Sequence, residues 1–250
     1  TDATAFLGMQ FAWSFVDGLR SLAVSMPAQL SYVLELLGIT DAKPARTPGT
    51  PGSTITLADS PPVGPEGGDE RKLMASRGYR SVTGSLLWLS RVYRVDIAQQ
   101  VNACARVGHN PGDTHWQALK HIGRYLLRTP KHALTYTTAP DPELVGWCDS
   151  DYSPDYGNAT DNYRSTTGWV FTYGGTAVSW RSRRQSLIAQ SSTEAEYYAA
   201  ADAAKEAVHL RRIFGDLGVY CSSVRLMEDN QSCLKQASNA CNQEASRHVD

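Results

Sequence analysis

Four acidic residues, Asp149, Glu196, Asp229 and Asp250, fall where expected elements end or face a sheet. Carboxylates drawn from separate elements are the natural cage for a hard cation such as Mg²⁺, which takes oxygen ligands in octahedral geometry and keeps several waters. Two such ions, about 3.5–4 Å apart, activate a water and stabilise the leaving oxygen of a phosphodiester. That chemistry needs no nucleophilic side chain. Each acid also has a plainer reading. Asp149, with Asp151 and Asp155, opens a polar turn over 150–156. Glu194 and Glu196 sit in the first turn of a helix, where Ser191 with Glu194 or Thr193 with Glu196 makes a capping box. Asp229 precedes a helix and suits an N-cap. Asp250 ends the sequence as a solvated acid, and His248 alone reads as a surface or core histidine.

The elements that must position these residues follow from hydrophobic period. Residues 144–149, 168–173 and 177–181 are short β-branched or aromatic runs between Gly and Asn clusters, which predicts a three-stranded antiparallel meander. Val145, Trp147 and Asp149 share one strand face by the period of two. A long helix follows over 193–217, then a strand over 224–228 and a helix over 231–238. Three strands, helix, strand, helix is an α/β pattern with one mixed sheet. On the long helix Glu196 shares a stripe with Ala199, Ala200, Ala203, Ala207, Leu210 and Phe214, a small-residue face suited to packing on the sheet. Glu194 lines up with Ala201 and Lys205 and is expected to face solvent.

Upstream, helical spacing predicts helices over 28–37, closed by Gly38, and over 79–92, 96–107 and 114–127. Lys120, Arg124 and Arg128 flank the apolar stripe of the last. Between residues 47 and 69 five prolines mix with glycines, predicting a linker or long exposed loop. The formal net charge of -1 leaves any nucleic-acid binding to local patches, among them Arg181, Arg183 and Arg184. Five scattered cysteines without a Cys-x-x-Cys pair argue against a disulfide framework and a zinc site, and lead us to expect a reducing intracellular compartment. No run approaches the length of a membrane span, and the N-terminus lacks the order of a signal peptide. The opening Thr1 is what a piece of a longer polypeptide would show.

Several motifs taken together resemble the ribonuclease H domain of copia-type (pseudovirus) retrotransposon Pol polyproteins. They are Trp147-Cys148-Asp149-Ser150-Asp151-Tyr152, Arg164-Ser165-Thr166-Thr167-Gly168, Val178-Ser179-Trp180-Arg181-Ser182, Ser191-Ser192-Thr193-Glu194-Ala195-Glu196-Tyr197, Glu228-Asp229-Asn230-Gln231-Ser232 and Arg247-His248-Val249-Asp250. Tyr152-Ser153-Pro154 stands where the family has Trp-Ala-Gly. Upstream, the run 79–87, Asp96-Ile97-Ala98 and His115-Trp116 resemble the region joining polymerase to nuclease, and Phe6-Leu7-Gly8 the stretch after the polymerase active site.

The resemblance implies a reverse transcriptase remnant over 1–46, a Pro/Gly-rich linker or loop over 47–70, a helical connection region over 71–132 and a ribonuclease H-like domain over 133–250. That domain would be a mixed sheet with flanking helices. Asp149, Glu196, Asp229 and Asp250 match the family's four metal-binding acids, with His248 in its His-hydrophobic-Asp element. Two Mg²⁺ ions, replaceable by Mn²⁺, would cut the RNA strand of an RNA–DNA hybrid. Arg181, Arg183, Arg184, Lys120, Arg124 and Arg128 would contact phosphates, with a solvated face as their plainer role. The partner would be the reverse transcriptase of the same polyprotein, in a cytoplasmic, virus-like-particle setting. Two other classes compete. A non-catalytic nucleic-acid-binding or scaffold module from a decayed or repurposed element would keep the fold without the chemistry. A transposase or integrase of the same fold uses the order Asp, Asp, Glu, whereas here Glu196 comes second.

Overall fold

The computed structural model describes residues 2–152, 164–221 and 223–238. It is mixed α/β, with two four-stranded sheets, and divides into two compact units, Thr1–Thr137 and Thr138–Asp250. Among the described residues no helix is long and apolar enough to cross a membrane.

The first unit opens with a strand hairpin that the periodicity reading passed over. β1 (Ala5–Phe6), β2 (Met9–Val16) and β3 (Leu19–Ser25) run antiparallel, and β2 turns into β3 through Asp17 and Gly18, both at positive φ (50° and 78°). Asp-Gly is a strong two-residue hairpin signal. β2 also carries a period of two, with Met9, Phe11, Trp13 and Phe15 alternating with Gln10, Ala12 and Ser14, although its outer half is exposed on both faces. The fourth strand, β4 (Leu134–Thr137), pairs with β3. Residues 134–137, expected within the second domain, thus complete the sheet of the first unit.

Helices α1 (Pro27–Leu37), α2 (Gly68–Ser76), α3 (Tyr79–Val92), α4 (Ala98–Arg106) and α5 (Asp113–Arg128) build its core. Pro27 suits the first helical turn, and Gly38 closes α1 in the left-handed region at φ 60°. Leu86, Leu89, Ile97, Val101, Leu119 and Leu126 are fully buried among these helices. The segment 47–69 is a long loop, exposed over much of its length as one of the two expected readings has it, and is tied to α5 at Thr47 and Thr56. His115, itself buried, accepts from the Gly112 amide through Nδ1 (2.9 Å), so its Nε2–H donates to the Thr56 carbonyl (2.8 Å). His121 Nε2 meets the Thr47 carbonyl at 3.0 Å. Ile55 and Leu57, on either side of the Thr56 anchor, pack against the core.

In the second unit β5 (Leu144–Asp151), β6 (Thr166–Tyr173) and β7 (Thr176–Arg184) form the antiparallel meander that the sequence predicts. α6 (Ser192–Asp216) then crosses to β8 (Arg225–Met227), which lies parallel to β5 on its free edge, and α7 (Gln231–Ser238) follows. The strand order is β7-β6-β5-β8. α6 packs across β5 and β6 through Ala195, Ala199 and Ala203, all fully buried, so backbone and helix approach closely. Phe171 and Trp169 fill the sheet side, their rings meeting edge-on at 5.6 Å.

Candidate metal centre

Topology brings two parallel strand ends together. The chain leaves β5 to one side through β6 and β7 and returns on the other side as β8, the switch point where open sheets place their ligands. Val145 pairs with Arg225, Gly146 with Leu226 and Trp147 with Met227. Continuing that register brings Cys148 opposite Glu228, in agreement with the contact of Cys148 Sγ with Glu228 Oε2 at 3.3 Å. One step further, Asp149 comes opposite Asp229.

Burial divides these residues between the two faces of the sheet. Leu144, Gly146, Cys148 and Ser150 are buried towards α6, whereas Trp147 and Asp149 are exposed on the other face. β8 repeats the pattern, with Leu226 and Glu228 half-buried and Met227 and Asp229 exposed. Asp149 and Asp229 therefore share the open face at neighbouring strand ends, about 5 Å apart in the strand-to-strand direction.

Glu196 approaches from α6. It points to the sheet as its helical stripe predicts, but the strand residue it meets is Ser150 rather than Asp149. Glu196 is only 7% exposed, and neither its Oε2 nor Ser150 Oγ has a hydrogen-bond partner. Burial pushes its carboxyl up to about 7, and the negative charges of Glu228 and Asp149 add to the rise. Ser150, beside it without hydrogen-bond alignment, offsets only part of this. A buried acid with an orphaned oxygen, within electrostatic reach of two further carboxylates, carries an uncompensated charge when ionised. Among the described residues no three His, Cys, Asp or Glu side chains converge on one point as a finished cage. The donor set fits a cation that takes one or two carboxylates at a time and completes its shell with water, as Mg²⁺ does.

Glu194 departs from expectation. It is buried, not solvent-facing. Ser191 is the N-cap of α6 and accepts from the Glu194 amide at 3.1 Å, while the Glu194 carboxylate accepts from the Gln190 amide (2.6 Å) and the Tyr198 hydroxyl (2.8 Å). The capping role thus falls to Glu194, and Glu196 is spared it. Asp229 is likewise not a cap, because Asn230 Oδ1 accepts from the amides of Ser232 (3.0 Å) and Cys233 (2.9 Å).

Sequence reasoning missed Glu228. The period of two over 224–228 was the available signal, since it sets Glu228 on the face of Val224 and Leu226, which pack towards the core. Asp250 and His248 lie outside the described residues. Of the basic candidates, Arg181 and Arg183 flank Asp202 of α6 at 3.9 and 3.3 Å, and Arg184 Nε donates to the Arg164 carbonyl at 3.3 Å. Lys120, Arg124 and Arg128 belong to α5 in the first unit.

No protein-family model matches the chain, and no solved structure matches it. Known proteins do. Over 231 residues the chain is 35% identical to a retrovirus-related Pol polyprotein from transposon TNT 1-94 of Nicotiana tabacum, which covers 92% of this chain and 17% of that protein. Over 198 residues it is 33% identical to the corresponding polyprotein from transposon RE2 of Arabidopsis thaliana, covering 78% and 13%. It is also 42% identical over 132 residues to secreted RxLR effector protein 161 of Plasmopara viticola, covering 53% of this chain and 90% of that protein. The chain spans a small part of the two polyproteins and runs collinear with each over most of its own length. It belongs to the retrovirus-related Pol polyproteins of copia-type transposons, of which it is one region.

Proposed function

We propose that the second unit is a ribonuclease H-type nuclease that hydrolyses the RNA strand of RNA–DNA hybrids with two Mg²⁺ ions. The observation that carries this reading is the buried Glu196 carboxyl, with one oxygen unpartnered, within electrostatic reach of Glu228 and Asp149 where β5 and β8 end together. The sheet supports it too, because an antiparallel meander, a crossover helix and a parallel fourth strand are the arrangement expected of a ribonuclease H-like fold. Asp149 and Asp229 on the open face, and Glu196 from α6, are the proposed ligands, with Asp250 and His248 completing the set by family match. Bound there, Mg²⁺ would polarise the attacking water and stabilise the departing oxygen.

The protein's own residues set up this chemistry. Ser191 and Glu194 cap α6 and so fix the turn that carries Glu196. Arg181 and Arg183, half-exposed on β7, are the proposed phosphate contacts, in competition with Asp202. A hybrid would be recognised through backbone and 2′-hydroxyl contacts, which suits a task indifferent to sequence. The reverse transcriptase of the same polyprotein is the proposed partner.

One comparison favours a second reading. A protein covered to 90% by its match to this chain carries the name of a secreted effector. A repurposed module that binds nucleic acid without cutting it would keep the same fold. Incubation with a labelled RNA–DNA hybrid separates the two. The nuclease cleaves with Mg²⁺ or Mn²⁺, little with Ca²⁺, and not after chelation. Metal-independent cutting, or binding without cutting, removes the nuclease reading.

A further inference from the structure

The first unit contains a cavity of about 550 Å³ between α5 and the strap over 47–56. That volume is in the range of small-molecule sites. Thr114, Gln117, Lys120, His121 and Arg124 follow one side of α5 at helical spacing and line one wall. Thr50, Ser53 and Thr54 of the strap line another, and Ile39, Ala42 and Ile55 give an apolar part. Among the described residues no Asp or Glu lines the cavity.

The cations are held ready for an anion. Arg124 donates through Nε to the Lys43 carbonyl at 2.6 Å, which fixes its stem and leaves its terminal nitrogens as donors. Lys120 is half-buried and makes no ion pair among the described residues. Asp113, whose carboxylate senses Lys120, is paired with Arg77 at 2.7 Å. His121 and His115 pin both ends of the strap, so the roof is anchored to the helix that carries the charges.

We propose that this cavity binds a nucleoside phosphate, its phosphate held by Lys120 and Arg124 and its uncharged part lying along Ile39 and Ile55. A planar guanidinium and an ammonium beside several hydroxyls suit a phosphate, and the apolar wall suits a base or sugar face. The nucleotide comes either from free solution or from the end of a strand, and both present the same chemistry. The site does not rest on the carboxylate reading of the second unit, and its test involves no cleavage.

Calorimetric titration of the whole chain with adenosine 5′-monophosphate and with adenosine reads it out. The monophosphate should bind about tenfold more tightly than adenosine, the contribution of a charge-assisted contact in a half-buried site. Lys120→Met should weaken the monophosphate about tenfold at unchanged melting temperature, while Lys131→Met, an exposed cation outside the cavity, should leave it unchanged. Tighter binding of a 5′-phosphorylated oligonucleotide than of the monophosphate assigns the site to strand ends, and the reverse order assigns it to free nucleotides. Equal affinities for adenosine and its monophosphate, equal losses in the two lysine variants, or no binding of either phosphate probe would overturn the proposal.

Discussion

Glu196 is destabilising when ionised without a cation beside it, and this has a direct consequence for pH. Its carboxyl binds a proton up to about 7 in the folded chain, whereas the unfolded chain releases it near the ordinary value of 4.5. Between those values the folded state holds more protons, so this residue's contribution to stability falls as pH rises through the window and the full penalty stands above it. Denaturant titrations without metal should show that fall, and Glu196→Gln should flatten it while raising stability at pH 8; an unchanged pH profile would mean that Glu196 is not the strained group. Glu194 predicts the opposite pattern. Its carboxylate accepts two hydrogen bonds at a helix start, so Glu194→Ala should lose about 1–2 kcal/mol of stability. Equilibrium unfolding would measure that, and a neutral result would place the cap elsewhere.

Element by element, the sequence was most directly readable where one face is buried. The meander and α6 follow from alternation and from the alanine stripe, because each packs one face against the Phe171 core. The hairpin of β2 and β3 was legible too, in the alternation of Met9, Phe11, Trp13 and Phe15 and in its Asp17-Gly18 turn, although its outer half is exposed on both faces. The strap over 47–69 looked like a linker by composition. Its order comes instead from two histidines fifty-nine and seventy-four residues further along the chain, a long-range bond that local composition cannot encode. The same holds at the site. Helical period aimed Glu196 correctly, yet the face of Asp149 and the approach of Glu228 depended on the strand register, which only the parallel pairing of β5 with β8 fixes. Gly146 tests how tight that layer is. A Cβ there would run into the ring of Phe171, which is fully buried and braced by Trp169, so Gly146→Ala should cost about 1–3 kcal/mol in a denaturant titration. An unaltered midpoint would show that the ring has room to move.

Over the whole molecule, two hydrophobic cores with no residue in common serve two separate units, and each unit carries its own candidate chemistry. The first offers cations and hydroxyls around a cavity; the second offers carboxylates at a strand switch. The central claim is that the carboxylates act through Mg²⁺ on the RNA of a hybrid. Single-turnover cleavage of a labelled RNA–DNA hybrid, measured across Mg²⁺ concentrations for the unaltered chain, Glu196→Gln and Glu194→Gln, tests it most directly. The account expects Glu196→Gln to lose about a hundredfold or more in rate while folding at least as stably, and Glu194→Gln to cut at nearly the original rate. Full Mg²⁺-dependent activity in Glu196→Gln would contradict it.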